Sequence, residues 1–302
     1  MSLISIILPT YNVEKYIARA LESCINQTLK DIEIIVVDDK GQDKSIDIAY
    51  EYANKDSRIK IIHNITNKGT YEARNIGVRN ANSELIMFLD PDDELELNAC
   101  EIVYTNMLDG SDMLCFNARK INLDGTIKNM LVFNNNIFYV YNFEQFINTK
   151  DSFWNLCFKC FKKHKLLESI NNTKISTKIL MAEDALLFYF ALANINIIKS
   201  ISDCIYNYYN NPNSSMNISS IDVLKNNIIN ERYVLNIISD TYIDNTNRIK
   251  KVLLYRLKLS LAYKQYLYNS QVFPKFKLIF RLILSLRKKY YRIIACFSKF
   301  II

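Results

Sequence analysis

Glycine and histidine are scarce in this 302-residue chain, with 5 and 2 residues respectively. So few glycines leave no G-x-G-x-x-G fingerprint and no Walker loop, which argues against a dinucleotide oxidoreductase and a P-loop kinase. Two histidines, His63 and His164, exclude multi-histidine metal sites and leave a serine or cysteine hydrolase few bases. No apolar run reaches the ~18 residues of a spanning helix, so none is predicted. Ser2 to Leu8 is a short alternating stretch ended by Pro9 and does not read as a signal peptide, which makes a cytoplasmic location the expectation. The seven cysteines are scattered and odd in number, as for buried thiols in a reducing compartment. Cys157 and Cys160 have CxxC spacing but no second pair to complete a zinc site.

Acidic residues are missing from one region only: none follows Asp244. Of the 38 lysines and arginines, 14 lie from Arg248 onward, which leaves 24 against all 31 acids in the preceding part. The formal net charge of +7 therefore averages a mildly acidic body and a strongly basic tail. From Pro274, a helix turning about 100° per residue gathers Lys277, Arg281, Lys288, Arg292 and Lys299 on one arc. Ile279, Ile283, Leu286, Tyr290, Ile294, Phe297 and Ile301 fall opposite, and Pro274 suits the first turn. A basic face backed by aliphatic and aromatic residues predicts a helix lying in an anionic membrane interface. The alternative is packing of the apolar face on the body or on a second subunit. No recognition motif accompanies the charge, so nucleic acid is not an expected partner.

With 50% hydrophobic residues, the chain is globular and long enough for one large domain and an appendage. The boundaries predicted are 1–220 for the domain and 221–302 for a helical C-terminal region, whose segment from about 274 to 302 is the amphipathic one. Within the domain, Leu3 to Leu8 reads as a strand, and Asn12 as an N-cap for the helix bearing Ile17, Ala20, Leu21 and Cys24. Ile32 to Val37 is a continuous β-branched run, as for a strand covered on both faces, and it ends in Asp38 and Asp39. A helix at 44–54, a strand at Ile59 to His63, a helix at 72–80 and a strand at Leu85 to Leu89 follow, then Asp90-Pro91-Asp92-Asp93 and a helix from Leu95 to Leu108. Alternating strands and helices predict a parallel, doubly wound α/β sheet that binds ligands at the carboxyl ends of its strands. Asp39 and the Asp90 cluster both lie at such ends.

Three carboxylates within four residues repel one another unless a cation sits among them. Asp90, Asp92 and Asp93 thus read as an oxygen-ligand site for Mg²⁺ or Mn²⁺, or else as an acidic turn before a helix. Glu183 and Asp184 open an apolar helical stretch, where they could cap the helix or serve as a tuned acid-base pair.

Five ordered segments carry a resemblance to a known family: ISIILPTYNVEKY (Ile4 to Tyr16), IEIIVVDDKGQDKS (Ile32 to Ser45), NITNKGTYEARNIGVRN (Asn64 to Asn80), LIMFLDPDD (Leu85 to Asp93) and MAED (Met181 to Asp184). The chain resembles glycosyltransferase family 2, the inverting nucleotide-sugar transferases of GT-A fold, over residues 1 to about 210. Within that family it is most similar to bacterial lipooligosaccharide β-1,3-galactosyltransferases. The resemblance implies a GT-A sheet, mostly parallel and doubly wound, here with a helical, basic C-terminal extension. It implies UDP-galactose as donor, a terminal N-acetylgalactosamine on a lipid-linked oligosaccharide as acceptor, and Mn²⁺ or Mg²⁺ as cofactor. It assigns Thr10, Tyr11 and Asp39 to the uracil and ribose, Arg74 to the nucleotide, and Asp90 to ribose or metal-bound water. Asp92 would ligate the cation, Asp184 would be the general base, and Glu183 its supporting neighbour. The implied location is peripheral, on the inner face of a bacterial cytoplasmic membrane. Departures are Lys40-Gly41-Gln42 after Asp39 and a degenerate acceptor segment from Trp154 to Cys160, in which Trp154 and Lys159 remain acceptor candidates. Tyr206, Tyr208 and Tyr209 lie in a segment resembling one near the family's acceptor, or are core. Other UDP-sugars, glucose or the N-acetylated hexosamines, fit the same mechanism. A membrane-associated binding protein with a degenerate transferase domain is the reading from another class.

Overall fold

A computed structural model describes residues 2–130, 133–139, 154–173, 175, 177–211, 220–243 and 247–297. Four parallel strands form the first half of the sheet: β1 (Ile4–Thr10), β2 (Ile32–Asp38), β3 (Ile59–His63) and β4 (Leu85–Phe88). Every residue of β1, β2 and β4 is buried, which explains their continuous apolar runs: helices cover both faces and no solvent side exists to impose alternation. The helices α1 (Ile17–Ile25), α2 (Ser45–Ala53) and α3 (Thr70–Asn80) make the crossovers. Gly77 lets α3 lie directly on β1, because a Cβ there would sit 2.4 Å from Ile7 Cγ2.

The spatial order β3-β2-β1-β4 places the topological switch between β1 and β4, with Thr10, Asp39 and Asp90 around the carboxyl ends. Beyond β4 the sheet changes character. After β5 (Glu94–Leu95) and α4 (Ala99–Met107) come β6 (Met113–Ile121), β7 (Ile127–Met130), β8 (Asn136–Tyr139) and β9 (Lys159–Lys162). Next are α5 (Lys163–Asn172), α6 (Glu183–Ala191) and β10 (Ile197–Tyr209). Short β9 inserts antiparallel between β4 and β6, while β10 runs parallel to β6 and antiparallel to β5 and β8. The parallel order therefore covers the first half, where the sequence predicts alternating strands and helices, and the second half is mixed.

Two local expectations change. Asn12 does not cap α1, whose N-cap is Tyr16. It adopts a left-handed conformation, φ 53°, and its Oδ1 accepts from the Gln42 amide at 2.7 Å, tying the loop after β1 to the loop after β2. The helix expected from Leu95 starts at Ala99, because Glu94 and Leu95 pair with β10 instead.

Three helices complete the described chain: α7 (Ile221–Asp240), α8 (Asn247–Val272) and, after a single 3-10 turn at Pro274–Phe276, α9 (Lys277–Phe297). Val234 and Ile238 of α7 and Ile249, Leu253 and Leu257 of α8 join the same apolar core as the sheet. Helix α9 folds back on α8 and buries Leu284, yet leaves Leu278, Ile279, Leu282, Ile283, Leu286 and Tyr290 exposed. The side chains of Arg292, Ile294 and Phe297, together with Lys299 and Ile301, lie outside the described residues. Among the described residues, no helix is long and apolar enough to cross a membrane.

Candidate functional site

The rim at the carboxyl ends of β1, β2 and β4 is built from tight loops. The non-glycine residues with positive φ among those described are Asn12, Lys40 and Ala182, at 53°, 59° and 63°, and all three flank the segments bearing the predicted site. Left-handed backbone costs a residue with a Cβ on the order of 1 kcal/mol, so its recurrence here marks loops held by their surroundings.

Asp39 is buried and its carboxylate is nearly saturated. Oδ1 accepts from Asn64 Nδ2 at 2.9 Å and from the Lys68 amide at 2.7 Å, and Oδ2 accepts from the Gly69 amide at 2.8 Å. Gly69 has φ 85° and a Cβ there would meet Ile179 O at 2.9 Å, so glycine is what allows the chain to wrap the carboxylate. Of about four acceptor positions, one on Oδ2 remains for an incoming donor. Thr10 is buried, its hydroxyl donating to Leu8 O and its carbonyl accepting from the Asp39 amide at 2.9 Å. Tyr11 beside it is 47% exposed.

Arg74 on α3 is buried beneath the crevice. Its Nη2 donates to Asp90 Oδ1 at 2.8 Å and its Nη1 to Asp184 Oδ1 at 2.5 Å, with Glu183 Oε1 3.6 Å away. One guanidinium thus gathers carboxylates that are 94 residues apart in sequence, and both its terminal nitrogens are engaged by the protein. Burial pushes the Glu183 and Asp184 carboxyls up, Glu183 to about 7; for Glu183 the Asp184 charge adds to the rise, and Arg74 opposes it for both.

The three acids after β4 separate. Asp90 and Asp92 stay at the mouth, half-buried, but Asp93 turns into the core, contrary to the three-carboxylate site expected from sequence. Tyr206 Oη donates to Asp93 Oδ2 at 2.7 Å, the Tyr209 amide donates to Oδ1 at 2.8 Å, and the Asp90 amide donates back to Tyr206 Oη at 3.2 Å. Tyr206 is accordingly core and holds the acidic loop, rather than facing an acceptor. Asp92 Oδ2 accepts from Asn211 Nδ2 at 2.8 Å, Asn211 Oδ1 accepts from Tyr16 Oη at 3.1 Å, and Arg19 donates to the Asp92 carbonyl while stacking on the Tyr209 ring. Burial, then the charges of Asp92 and Asp90, push Asp93 well above the usual carboxylate range. Asp90, paired with Arg74, and Asp92 are the two carboxylates left at the mouth that would be available to a divalent cation. Among the described residues no three such side chains converge as a protein cage, so the remaining ligands of a cation here would be water and phosphate oxygens.

Lys159 corrects a further expectation. It is fully buried, its ammonium bonded to Asn155 O, so it does not meet an acceptor sugar directly. Trp154 is half-buried with the Arg256 guanidinium 5.5 Å from its ring centre. The six described cysteines are free thiols, and Cys157 and Cys160 are both buried. Asn64, Arg19 and Asn211 escaped sequence reasoning: Asn64 lay inside a quoted segment, whereas the partners of Arg19 and Asn211 are distant in sequence.

Comparison with known proteins accords with this geometry. The model of the family described as "Glycosyl transferase family 2" matches residues 5–168. An uncharacterized glycosyltransferase of Haemophilus influenzae is 47% identical over 93 residues, 31% of this chain and 37% of the relative. A cholesterol galactosyltransferase of Borreliella burgdorferi is 37% identical over 113 residues, 37% of this chain and 31% of the relative. The matched stretches thus span about a third of the relatives' lengths. In structure, Staphylococcus aureus TarS 1-349, solved with UDP-GlcNAc, superimposes with a TM-score of 0.66 at 20% identity, covering 98% of this chain and 91% of that one. A crevice assembled from the carboxyl ends of parallel strands and a family match over more than half of the sequence lead to one assignment: the chain belongs to glycosyl transferase family 2.

Proposed function

We propose that the protein is an inverting glycosyltransferase that moves a sugar from a UDP-sugar to a lipid-linked oligosaccharide. The observation that carries the reading is the Arg74 clamp, which joins Asp90 of the acidic loop to Asp184 at the head of α6 in one crevice. Asp39 accepts the uracil imide proton in its remaining acceptor position, Tyr11 covers the base and Thr10 lines the pocket. Asp184 takes the proton of the attacking hydroxyl. A carboxyl pushed upward by burial is a stronger proton acceptor than an ordinary one, as general-base catalysis near neutral pH requires. Glu183 supports it. Asp90 and Asp92 would hold Mn²⁺ or Mg²⁺, which supplies charge neutralisation to the departing diphosphate. With a single displacement an α-linked donor yields a β-glycoside.

The donor proposed is UDP-galactose and the acceptor a terminal N-acetylgalactosamine of lipooligosaccharide, joined by a β-1,3 linkage. The likeness to a fold solved with UDP-GlcNAc supports UDP-N-acetylglucosamine as a second donor. A screen of UDP-sugars with Mn²⁺ and a GalNAc-terminated acceptor, read by mass spectrometry and NMR, tests this. Transfer from UDP-galactose giving a β-linked product is expected; an α-linked product overturns inversion, and no transfer from any UDP-sugar overturns the whole reading.

The enzyme would work on the inner face of a bacterial cytoplasmic membrane, attached through α9. One strip of that helix packs on α8 through Leu284, while Leu278, Ile279, Leu282, Leu286 and Tyr290 stay exposed beside Lys277, Arg281 and Lys288. Each cation near an anionic surface contributes about 1 kcal/mol. A chain ending at Phe273 is expected to leave anionic vesicles on sedimentation, and undiminished binding would refute attachment through α9.

A further inference from the structure

We infer that Lys159 is a positioning residue for the proposed base, acting through the peptide group between Asn155 and Leu156. The inference rests on the reading of Asp184 as the base. The Lys159 ammonium donates to the carbonyl of Asn155, and the amide of Leu156 donates to Asp184 Oδ2 at 3.3 Å. That carbonyl and that N–H are the two ends of one planar peptide group. A cation on the oxygen withdraws electrons through the conjugated amide and makes the N–H a stronger donor, the cooperative effect of hydrogen bonds in series. The relay reaches Oδ2, while Arg74 holds Oδ1, so the carboxylate is gripped at both oxygens and its orientation toward an acceptor hydroxyl is set.

The surroundings of Lys159 favour this role over a merely structural one. Its side chain is wholly buried at the start of β9, with the ammonium 5.7 Å from the Phe133 ring centre and 5.3 Å from that of Phe188. Phe188 lies on α6 one turn beyond Asp184, so the same ammonium touches the helix that carries the base. A buried lysine is costly, and a hydrophobic residue of equal length would commonly pack there at no loss of stability. Burial pulls the ammonium pKa down, while Cys115, Asp184 and Cys157 pull it up. The charged and titratable groups facing Asp184 are Arg74 from α3, Asp90 from the loop after β4, Glu183 on α6, and Cys157 and Lys159 from the 154–162 segment.

The test compares Lys159→Met, Asp184→Asn and the double variant in the full chain, using whichever UDP-sugar the enzyme transfers. For Lys159→Met a fall in kcat of about tenfold is expected, with donor KM within about twofold, as for loss of a group that orients another. The acid limb of its kcat/KM profile moves to higher pH, because a cation and a strengthened N–H both favour the carboxylate form. In the Asp184→Asn background, Lys159→Met should add nothing further. A folded Lys159→Met protein with unchanged kcat and pH profile overturns the inference, as does a full additional tenfold loss in the double variant. If the methionine variant does not fold, Lys159→Gln carries the same comparison: it keeps a neutral donor for Asn155 O and should still lose rate and shift the limb, and wild-type values in it overturn the inference. Full transfer by Asp184→Asn alone would instead overturn the assignment of the base.

Discussion

One buried carboxylate and a cluster of buried and half-buried ones sit at opposite ends of the same sheet, and they are solvated in opposite ways. At the amino-terminal end Glu33 accepts from Ser5 Oγ, from the amide and Nδ2 of Asn82, and from the amide and Oγ of Ser83. Burial alone would raise its pKa, but these donors hold the carboxyl below the usual range. At the carboxyl-terminal end Asp90, Glu183 and Asp184 share Arg74, and Asp93 has its neighbours' charges against it. There one guanidinium serves three carboxylates, and burial raises the Glu183, Asp184 and Asp93 carboxyls. A saturated acid fastens strands and loops together; a crowded one is left with capacity for a proton or a cation.

The largest effect should follow from breaking the crowded end. Asp184→Asn is expected to lower kcat by about 10²- to 10⁴-fold, the span of general-base catalysis, while UDP binding by calorimetry stays close to wild type. A stable, fully active variant would remove the functional half of the contrast. Next, Asp92→Asn should raise the Mn²⁺ concentration for half-maximal transfer by at least about tenfold, and chelation should stop the wild type. An unchanged metal titration would mean that the acidic loop is crowded for another reason. The smallest change belongs to the saturated end. Glu33→Gln should leave kcat intact and cost about 1–3 kcal/mol in urea unfolding at pH 7, because buried donors lose a charged partner. Since the folded pKa is lowered, the wild type's advantage is complete above the ordinary glutamate value near ~4.3 and fades as pH falls through the folded value. A rate loss in Glu33→Gln without unfolding would show that the two ends communicate.

The parallel half of the fold was legible because β1, β2 and β4 are buried along their whole length and therefore read as mostly apolar runs, as Ile32 to Asp38 does despite Glu33. Strand β9 was not, since Lys159-Cys160-Phe161-Lys162 owes its place to β4 and β6 on either side and begins with a buried lysine that reads as a surface residue. The site divides in the same way. Asp39, Asp90, Asp92 and Asp184 stand beside strand or helix ends and could be found from pattern and resemblance. Which of Asp92 and Asp93 faces the crevice could not, because Tyr206, Tyr209 and Asn211 decide it from more than 110 positions away.

The three donors that fix Asp39 also bear on which nucleobase can be read. With Asn64, Lys68 and Gly69 holding it, the carboxylate cannot turn away, and in the reading proposed above it meets an arriving ring with one remaining acceptor position. Uracil presents N3–H to such an acceptor. Cytosine presents a bare N3 lone pair, which would face the carboxylate's negative charge instead of donating to it. A CDP-sugar carrying the same hexose should therefore be refused at the base, before its sugar is ever inspected.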